Sequence, residues 1–350
     1  MTTTLVEEMA AARLQWTSTQ IMSWYPRQDL LTQWRTSLKT QADWVGNEAF
    51  GSQVRDDVAT GGMHDPLAWA NRRLELPDRG WVITGIRYRG RNITRPFIDV
   101  IATTAPPTLD GLALIAQTIV PAYAPFRPLC FRVQVADAAD LLQQTRSDHR
   151  FGVGCAVDMH VIAGTLTDMK MQALPRSYRD VHLNPADPAM LAQRANTIYR
   201  QLAQQNPETT LWATPENVDS LGACAEEGML FEVTVDGAPA GVVAAARHDA
   251  HGMRGFSVDE LCLDQTHRGN GLAQAVLRHL LERLPHATGD VLWGTIHPAN
   301  APSLRNALSM GRRQVATDVW ITPSDLPGMP TNLQAKYTLN PQDHQPGNSP

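Results

Sequence analysis

The spacing of apolar positions changes character along the chain. Up to about Gly80 it is helical in two stretches, Thr4–Trp16 and Asp29–Trp44, separated by turn-rich interruptions that do not phase. From Trp81 the period shortens. Trp81–Tyr88 and Pro96–Thr104 are rich in β-branched and aromatic residues and predict strands; Leu109–Tyr123 predicts a helix, Leu129–Val135 a buried strand, Ala138–Thr145 a helix and Cys155–Leu166 a strand. A second series follows Leu174: a short strand at Asp180–Leu183, a helix from Pro188 to about Gln205 with Asp187 placed to cap it, and a helix at about Pro215–Glu227. Met229–Val235 and Ala240–Arg247 predict a hairpin about the Asp236-Gly237 turn. Phe256–Leu263, Val291–His297 and Gln314–Ile321 then predict strands, alternating with helices at Gly271–Leu284 and Ala301–Met310. The two series read as a degenerate repeat, because Asp110-Gly111-Leu112-Ala113 echoes Asn270-Gly271-Leu272-Ala273, each after a strand. The pattern divides the chain into a helical segment at 1–80 of undefined attachment, an α/β unit at 81–174, a second at 175–335 and a disordered tail at 336–350.

Composition narrows the classes. At 350 residues, with 43% hydrophobic and 19% charged, the chain has the length and apolar content for two cores. A net charge of −5 argues against a nucleic-acid partner. The sequence shows no run of about 18 apolar residues, and Met1–Glu8 lacks a basic region followed by an apolar stretch, so no membrane association or export is expected. Cys130, Cys155, Cys224 and Cys262 are scattered without CxxC spacing, which predicts neither a disulfide framework nor a zinc site and suits a reducing cytoplasm. His248-Asp249-Ala250-His251 offers metal ligands but no third partner nearby, and reads as a solvated loop.

The stretch that carries chemistry is Leu261-Cys262-Leu263-Asp264-Gln265-Thr266-His267-Arg268-Gly269-Asn270-Gly271-Leu272-Ala273, a buried strand that turns through two glycines into an amphipathic helix. Such a turn leaves N–H groups at a helix N-terminus, where glycine lets an anion approach the main chain and the dipole favours negative charge. A dinucleotide fingerprint would need a small residue where Gln274 stands and an acidic residue at a strand end about 20 residues on; a P-loop would need a lysine that the segment lacks.

Arg268, Gly271 and Ala273 match in order the acyl-CoA loop of the GNAT acyltransferases, and residues 179–322 resemble that superfamily in element order. Asn300, Ser303 and Leu304, followed by Ala307 and Gly311, resemble its later segment. The resemblance implies an α/β fold with a mixed central sheet of the GNAT acyl-CoA N-acyltransferase type. Trp81–Leu166 reads either as an unrelated α/β domain or as a region that resembles a second, degenerate copy in tandem, in which Pro106-Pro107-Thr108 replaces the arginine-glycine loop and removes amides that a pyrophosphate would need. It further implies acetyl-CoA as co-substrate and no metal. The backbone of Arg268, Gly269, Asn270, Gly271, Leu272 and Ala273 would receive the pyrophosphate, the strand Leu261, Cys262 and Leu263 the pantetheine arm, and Asn300 would belong to the same site. Val291–His297 would diverge from the pantetheine strand and open a V for the thioester.

Transfer to an amine needs a base near that opening. Asp259 and Glu260 lie on opposite faces by the two-residue period, so one looks into the cleft, and Glu260 is the favoured base, directly or through water. The tyrosine that many members place four residues before the helix-ending glycine is Ala307 here, leaving His297, Ser303 or water as the donor for the leaving thiolate. The usual Gly-Phe is Gly311-Arg312. Cys262 reads as a packed thiol. The expected activity is acetyl transfer to a small-molecule amine by direct attack in a ternary complex, by a monomer or homodimer; a non-catalytic acyl-CoA-binding or interaction module and a protein-lysine acetyltransferase are the alternatives.

Overall fold

The computed structural model describes residues 4–58, 65–77, 79–285 and 287–330, so the tail expected at 336–350 lies outside the described residues. Its strands are β1 (Arg72–Glu75), β2 (Trp81–Tyr88), β3 (Pro96–Thr103), β4 (Phe131–Val135), β5 (Ala156–Thr165), β6 (Val181–Pro185), β7 (Leu230–Val235), β8 (Ala238–Arg247), β9 (Gly255–Leu263), β10 (Val291–Ile296) and β11 (Arg313–Ile321). Its helices are α1 (Leu5–Arg13), α2 (Thr19–Trp24), α3 (Arg27–Asp43), α4 (Glu48–Val58), α5 (Leu109–Tyr123), α6 (Ala139–Thr145), α7 (Leu166–Met171), α8 (Pro188–Gln205), α9 (Val218–Glu226), α10 (Leu272–Arg283) and α11 (Ala301–Ser309).

Local chemistry accounts for most boundaries. Pro188 opens α8 without losing a needed donor, and the Asp187 carboxylate caps it by accepting the Met190 amide at 2.9 Å. The β7–β8 hairpin turns on Asp236 and Gly237, with φ of 50° and 79°, the left-handed pair that a two-residue turn between twisted strands requires. Four elements fall outside the predicted series: β1, whose Arg72-Arg73-Leu74-Glu75 forms a sheet edge, and the helices α2, α4 and α7. Leu109–Phe126 is apolar and long enough for a membrane span by length and composition, contrary to the expectation of no such run. In the fold, Leu112, Ile115, Ile119 and Tyr123 of this stretch lie in the core against Val82, Ile98 and Val133. Each such aliphatic side chain contributes about 1.5–3 kcal/mol on burial.

The strands form one mixed sheet of order β1-β2-β3-β4-β11-β5-β10-β9-β8-β7-β6. The two halves of the chain are interleaved: β11, the last strand, lies antiparallel between β4 and β5 of the first half, while β5 lies antiparallel between β11 and β10 of the second. Each half donates a strand to the other at the sheet centre. The amino-terminal helices cover that centre, where Met9, Ile21, Leu30 and Trp34 pack on Ile83, Ile101, Val161, Val291 and Trp293, residues from both halves. The attachment of this segment, which sequence left open, is therefore the seam. On the same face of the second half, α8 and α9 pack through Leu191, Ala195, Ile198 and Leu221 on Val242, Ala244 and Cys262. On the opposite face α10 packs through Val276, Leu277 and Leu280 on Val243, Phe256 and Leu292.

Candidate active site

The site begins where two parallel strands part. β9 pairs with β10 only over Gly255–Ser257 against Val291–Trp293, yet both strands run on, β9 held by β8 as far as Leu263 and β10 held by β5 as far as Ile296. From Val258 onward the β10-facing edge of β9 is open, so its amide and carbonyl groups are available to a ligand. A register shift in the β8–β9 ladder, where Ala244 opposes Glu260 and Ala245 opposes Val258, leaves Asp259 as an extra residue, a bulge that bends β9 at the point of divergence.

Beyond β9 the chain makes the turn singled out from sequence. Gly269 and Gly271 have φ of 85° and 70°, and Gly271 stands at the N-cap of α10. Among the described residues the amides of Gly269, Asn270 and Gly271 have no main-chain acceptor, whereas those of His267 and Arg268 are closed back on Asp264 and Gln265. Free amides thus precede an amphipathic helix, a place where an anion is favoured. The Arg268 side chain braces the turn, its Nε donating to the Leu263 carbonyl at 2.8 Å, and Arg194 of α8 holds Asp264 at 2.5 Å. In the first half the corresponding loop is closed: the Thr108 amide donates to Pro106, and the Gly111 amide to Thr108 Oγ1 at 3.2 Å.

The gap between β9 and β10 is a cleft of ≈ 150 Å³ bordered by Tyr199, Val258, Asp259, Glu260, Leu261, Gly294, Thr295, Ile296, Asn300, Ser303, Asn306 and Arg312. Glu260 is 2% exposed. Its Oε1 accepts from Tyr199 Oη at 3.0 Å and its Oε2 from the Glu216 amide at 3.1 Å, so it is held rigidly toward α8. Burial raises its pKa against the lowering effect of those two donors, and burial together with the nearby Glu260 carboxylate pushes the Tyr199 phenol far up. The expectation that only one of Asp259 and Glu260 looks into the cleft is corrected by the bulge, which breaks the two-residue period: both border it. Asp259 accepts from Ser257 Oγ at 2.5 Å and from Cys224 Sγ at 3.6 Å.

The opposite wall carries α11. Asn300 is its N-cap, its Oδ1 accepting the Ser303 amide at 3.3 Å, and Ser303 borders the cleft one turn on. Ala307 fills the interior against Ile162, Ile296 and Leu304, so that position offers no donor. His297 is not brought together with them. Its ring stacks on Trp212 at 5.4 Å, its Nδ1 accepts the Ala299 amide at 3.2 Å, and it is absent from the cleft lining. Cys262 is buried and its thiol pKa is raised by desolvation, as a packed thiol requires. The His248–His251 turn is solvated only in part: His248 is exposed, whereas His251 Nδ1 bonds Gln134 Nε2 of β4 at 2.8 Å and ties the halves together. No group of three or more His, Cys, Asp or Glu side chains able to hold a metal occurs among the described residues.

Three bordering residues escaped sequence reasoning. Tyr199 reads as part of the apolar face of α8, four residues after Ala195, and its partner is distant in sequence. Asn306 presents an Oδ1 without a partner. Arg312 follows the glycine that ends α11; the one available signal was a cation at a position where an aromatic was expected.

Residues 195–311 match the model of the Acetyltransferase (GNAT) family. Among solved structures, a GNAT-family acetyltransferase from Colwellia psychrerythraea is 14% identical over 82% of this chain and 97% of its own, with a TM-score of 0.43. A GCN5-related N-acetyltransferase from Sphaerobacter thermophilus is 11% identical over 83% and 95%, at 0.47. A tandem GNAT protein from the clavulanic acid biosynthesis pathway is 15% identical over 79% and 94%, at 0.36. No curated protein matches the chain.

Proposed function

Residues 195–311 form a domain of the GNAT acetyltransferase family, and from that premise we propose that the protein transfers the acetyl group of acetyl-CoA to the amine of a small molecule by direct attack in a ternary complex. The observation that carries the reading is the conjunction of an open strand edge at Val258–Leu263 with the free amides of Gly269–Gly271, one suited to an amide-bearing arm and the other to a diphosphate. In this reading the amine nitrogen attacks the thioester carbonyl, Glu260 takes the proton that the nitrogen sheds, the carbon–sulfur bond breaks, and the thiolate takes a proton from Ser303 or water. The raised pKa of Glu260 suits it to accept a proton at neutral pH, and Tyr199 and the Glu216 amide fix its direction. An amide on the open edge of β9 near the thioester carbonyl would stabilise the oxyanion.

Calorimetric titration of the full chain with acetyl-CoA, followed by thiol release against a panel of amines, tests the reading. Binding with turnover supports it, and absence of binding by the folded chain ends it. A second reading, an acyl-CoA binder without transfer, draws on Ala307, which supplies no acid for the thiolate. Tight binding with no acceptor in the panel, and no effect of Glu260→Gln, would favour that one.

A further inference from the structure

Arg312 stands where α11 gives way to β11, at the level at which β9 and β10 separate. Gly294 of β10 is the first residue past their last pair, and a Cβ built on it would meet Arg312 Nη1 and the Val258 carbonyl oxygen, each at 3.8 Å. The guanidinium thus lies across the bottom of the cleft, on the side that Gly294 shares with Leu292 and Ile296, opposite the side from which Glu260 enters. Arg312 is 5% exposed, its Nε has no hydrogen-bond partner, and among the described residues no carboxylate pairs with it. Burial alone lowers its pKa, to about 10, with no neighbouring charge to offset the effect.

An arginine without a counter-ion inside a fold is a standing cost, because desolvation of the charge is repaid only by a close anion. Among the described residues the other buried arginine, Arg13, is near Asp318 and Asp99, and the partly exposed Arg132 pairs with Asp99 and Asp158. Beside Arg312, the Asn306 amide has an unpartnered Oδ1, and by rotating it can present its NH2 to the same anion. Two unsatisfied polar groups therefore converge on one end of a cleft whose other end holds a base.

We propose that this end of the cleft is a carboxylate subsite, in which Arg312 receives, by a forked pair of hydrogen bonds, a carboxylate borne by one of the two reactants. The proposal rests on the acyl-transfer reading above and narrows its substrate class to reactions in which the acyl chain or the amine acceptor is an acid. The planar fork of arginine suits a carboxylate, and the small cleft suits a short chain.

The full chain is titrated with succinyl-CoA and with butyryl-CoA, its neutral counterpart, and thiol release from acetyl-CoA is measured with amino acids and with their carboxamides. An acid on the acyl chain gives binding of succinyl-CoA roughly 10- to 100-fold tighter than butyryl-CoA; an acid on the acceptor gives a preference of the same size in kcat/KM for amino acids over amides. In Arg312→Met the preference disappears while acetyl-CoA still binds, and the Tm of the variant without ligand is no lower than that of the wild type, since an unpaired buried charge has been replaced by a thioether. Because the first comparison uses only wild-type protein, it does not depend on the variant folding. Equal handling of acid and neutral partners in both arms overturns the subsite and leaves acyl transfer standing; failure of acetyl-CoA to bind brings down both.

Discussion

At the scale of the residue, Glu260 is the carboxylate that the proposed transfer uses as its base. It sits among the apolar residues Val258, Leu261 and Leu263 of its strand, and two donors hold it where water is scarce. Glu260→Gln is expected to lower kcat by about 10²- to 10⁴-fold while leaving the Kd for acetyl-CoA nearly unchanged. The wild-type rate should climb as pH rises through a value above the usual carboxylate range, since the group must be ionised to accept a proton. Stability runs the other way. The folded pKa is raised, so the stabilisation from the bound proton is complete below the unfolded pKa and is lost as pH rises through the folded one. The Tm difference between Glu260→Gln and wild type should therefore move in the variant's favour from pH 4 to pH 8, and a gap constant with pH would show that the Glu260 proton is not held by the fold.

At the scale of the element, the strand–turn–helix of β9 and α10 depends on two left-handed glycines, Gly269 and Gly271. Gly271 has φ of 70°, and a Cβ there would find only Gln274 Oε1, at 3.9 Å, so a side chain is limited by backbone strain and not by space. Gly271→Ala should cost about 1–2 kcal/mol if the turn keeps its shape. If the turn relaxes instead, the amides move, and the Kd for acetyl-CoA should rise about tenfold, by calorimetry; unchanged stability together with unchanged binding would show that neither depends on this conformation. This turn was legible in the sequence because its information is local: two glycines between an apolar strand and an amphipathic helix. The hairpin at Asp236-Gly237 and the caps at Asp187 and Asn300 were legible for the same reason. Tyr199, Asn306 and Arg312 were not, because each acquires its meaning from a neighbour elsewhere in the chain or from a missing partner: Tyr199 from Glu260, 61 residues on, and Asn306 and Arg312 from sharing one lining with Gly294. The bulge at Asp259 was hidden too, since it is a relation between β8 and β9 and not a property of either.

At the scale of the whole molecule, interleaving at the sheet centre predicts a single cooperative unit. Residues 175–350 alone would leave β10 without its neighbour β5 and β11 without either of its partners. Expressed separately, residues 1–174 and 175–350 should each be insoluble or unfolded by circular dichroism and recover the native spectrum when co-expressed, and the intact chain should melt in one transition. Independent folding of the second piece would contradict the sheet order. The order of strands in the full sequence could not announce this, because two equal repeats predict two sheets as readily as one. It also settles what the half with the closed loop contributes. Val161 and Ile162 of β5 lie against Thr295 and Gly294, the inner wall of the reaction cleft. The first half of the chain is thus the buttress of the cleft in the second, and a disturbance along that buttress would arrive there as a change in width.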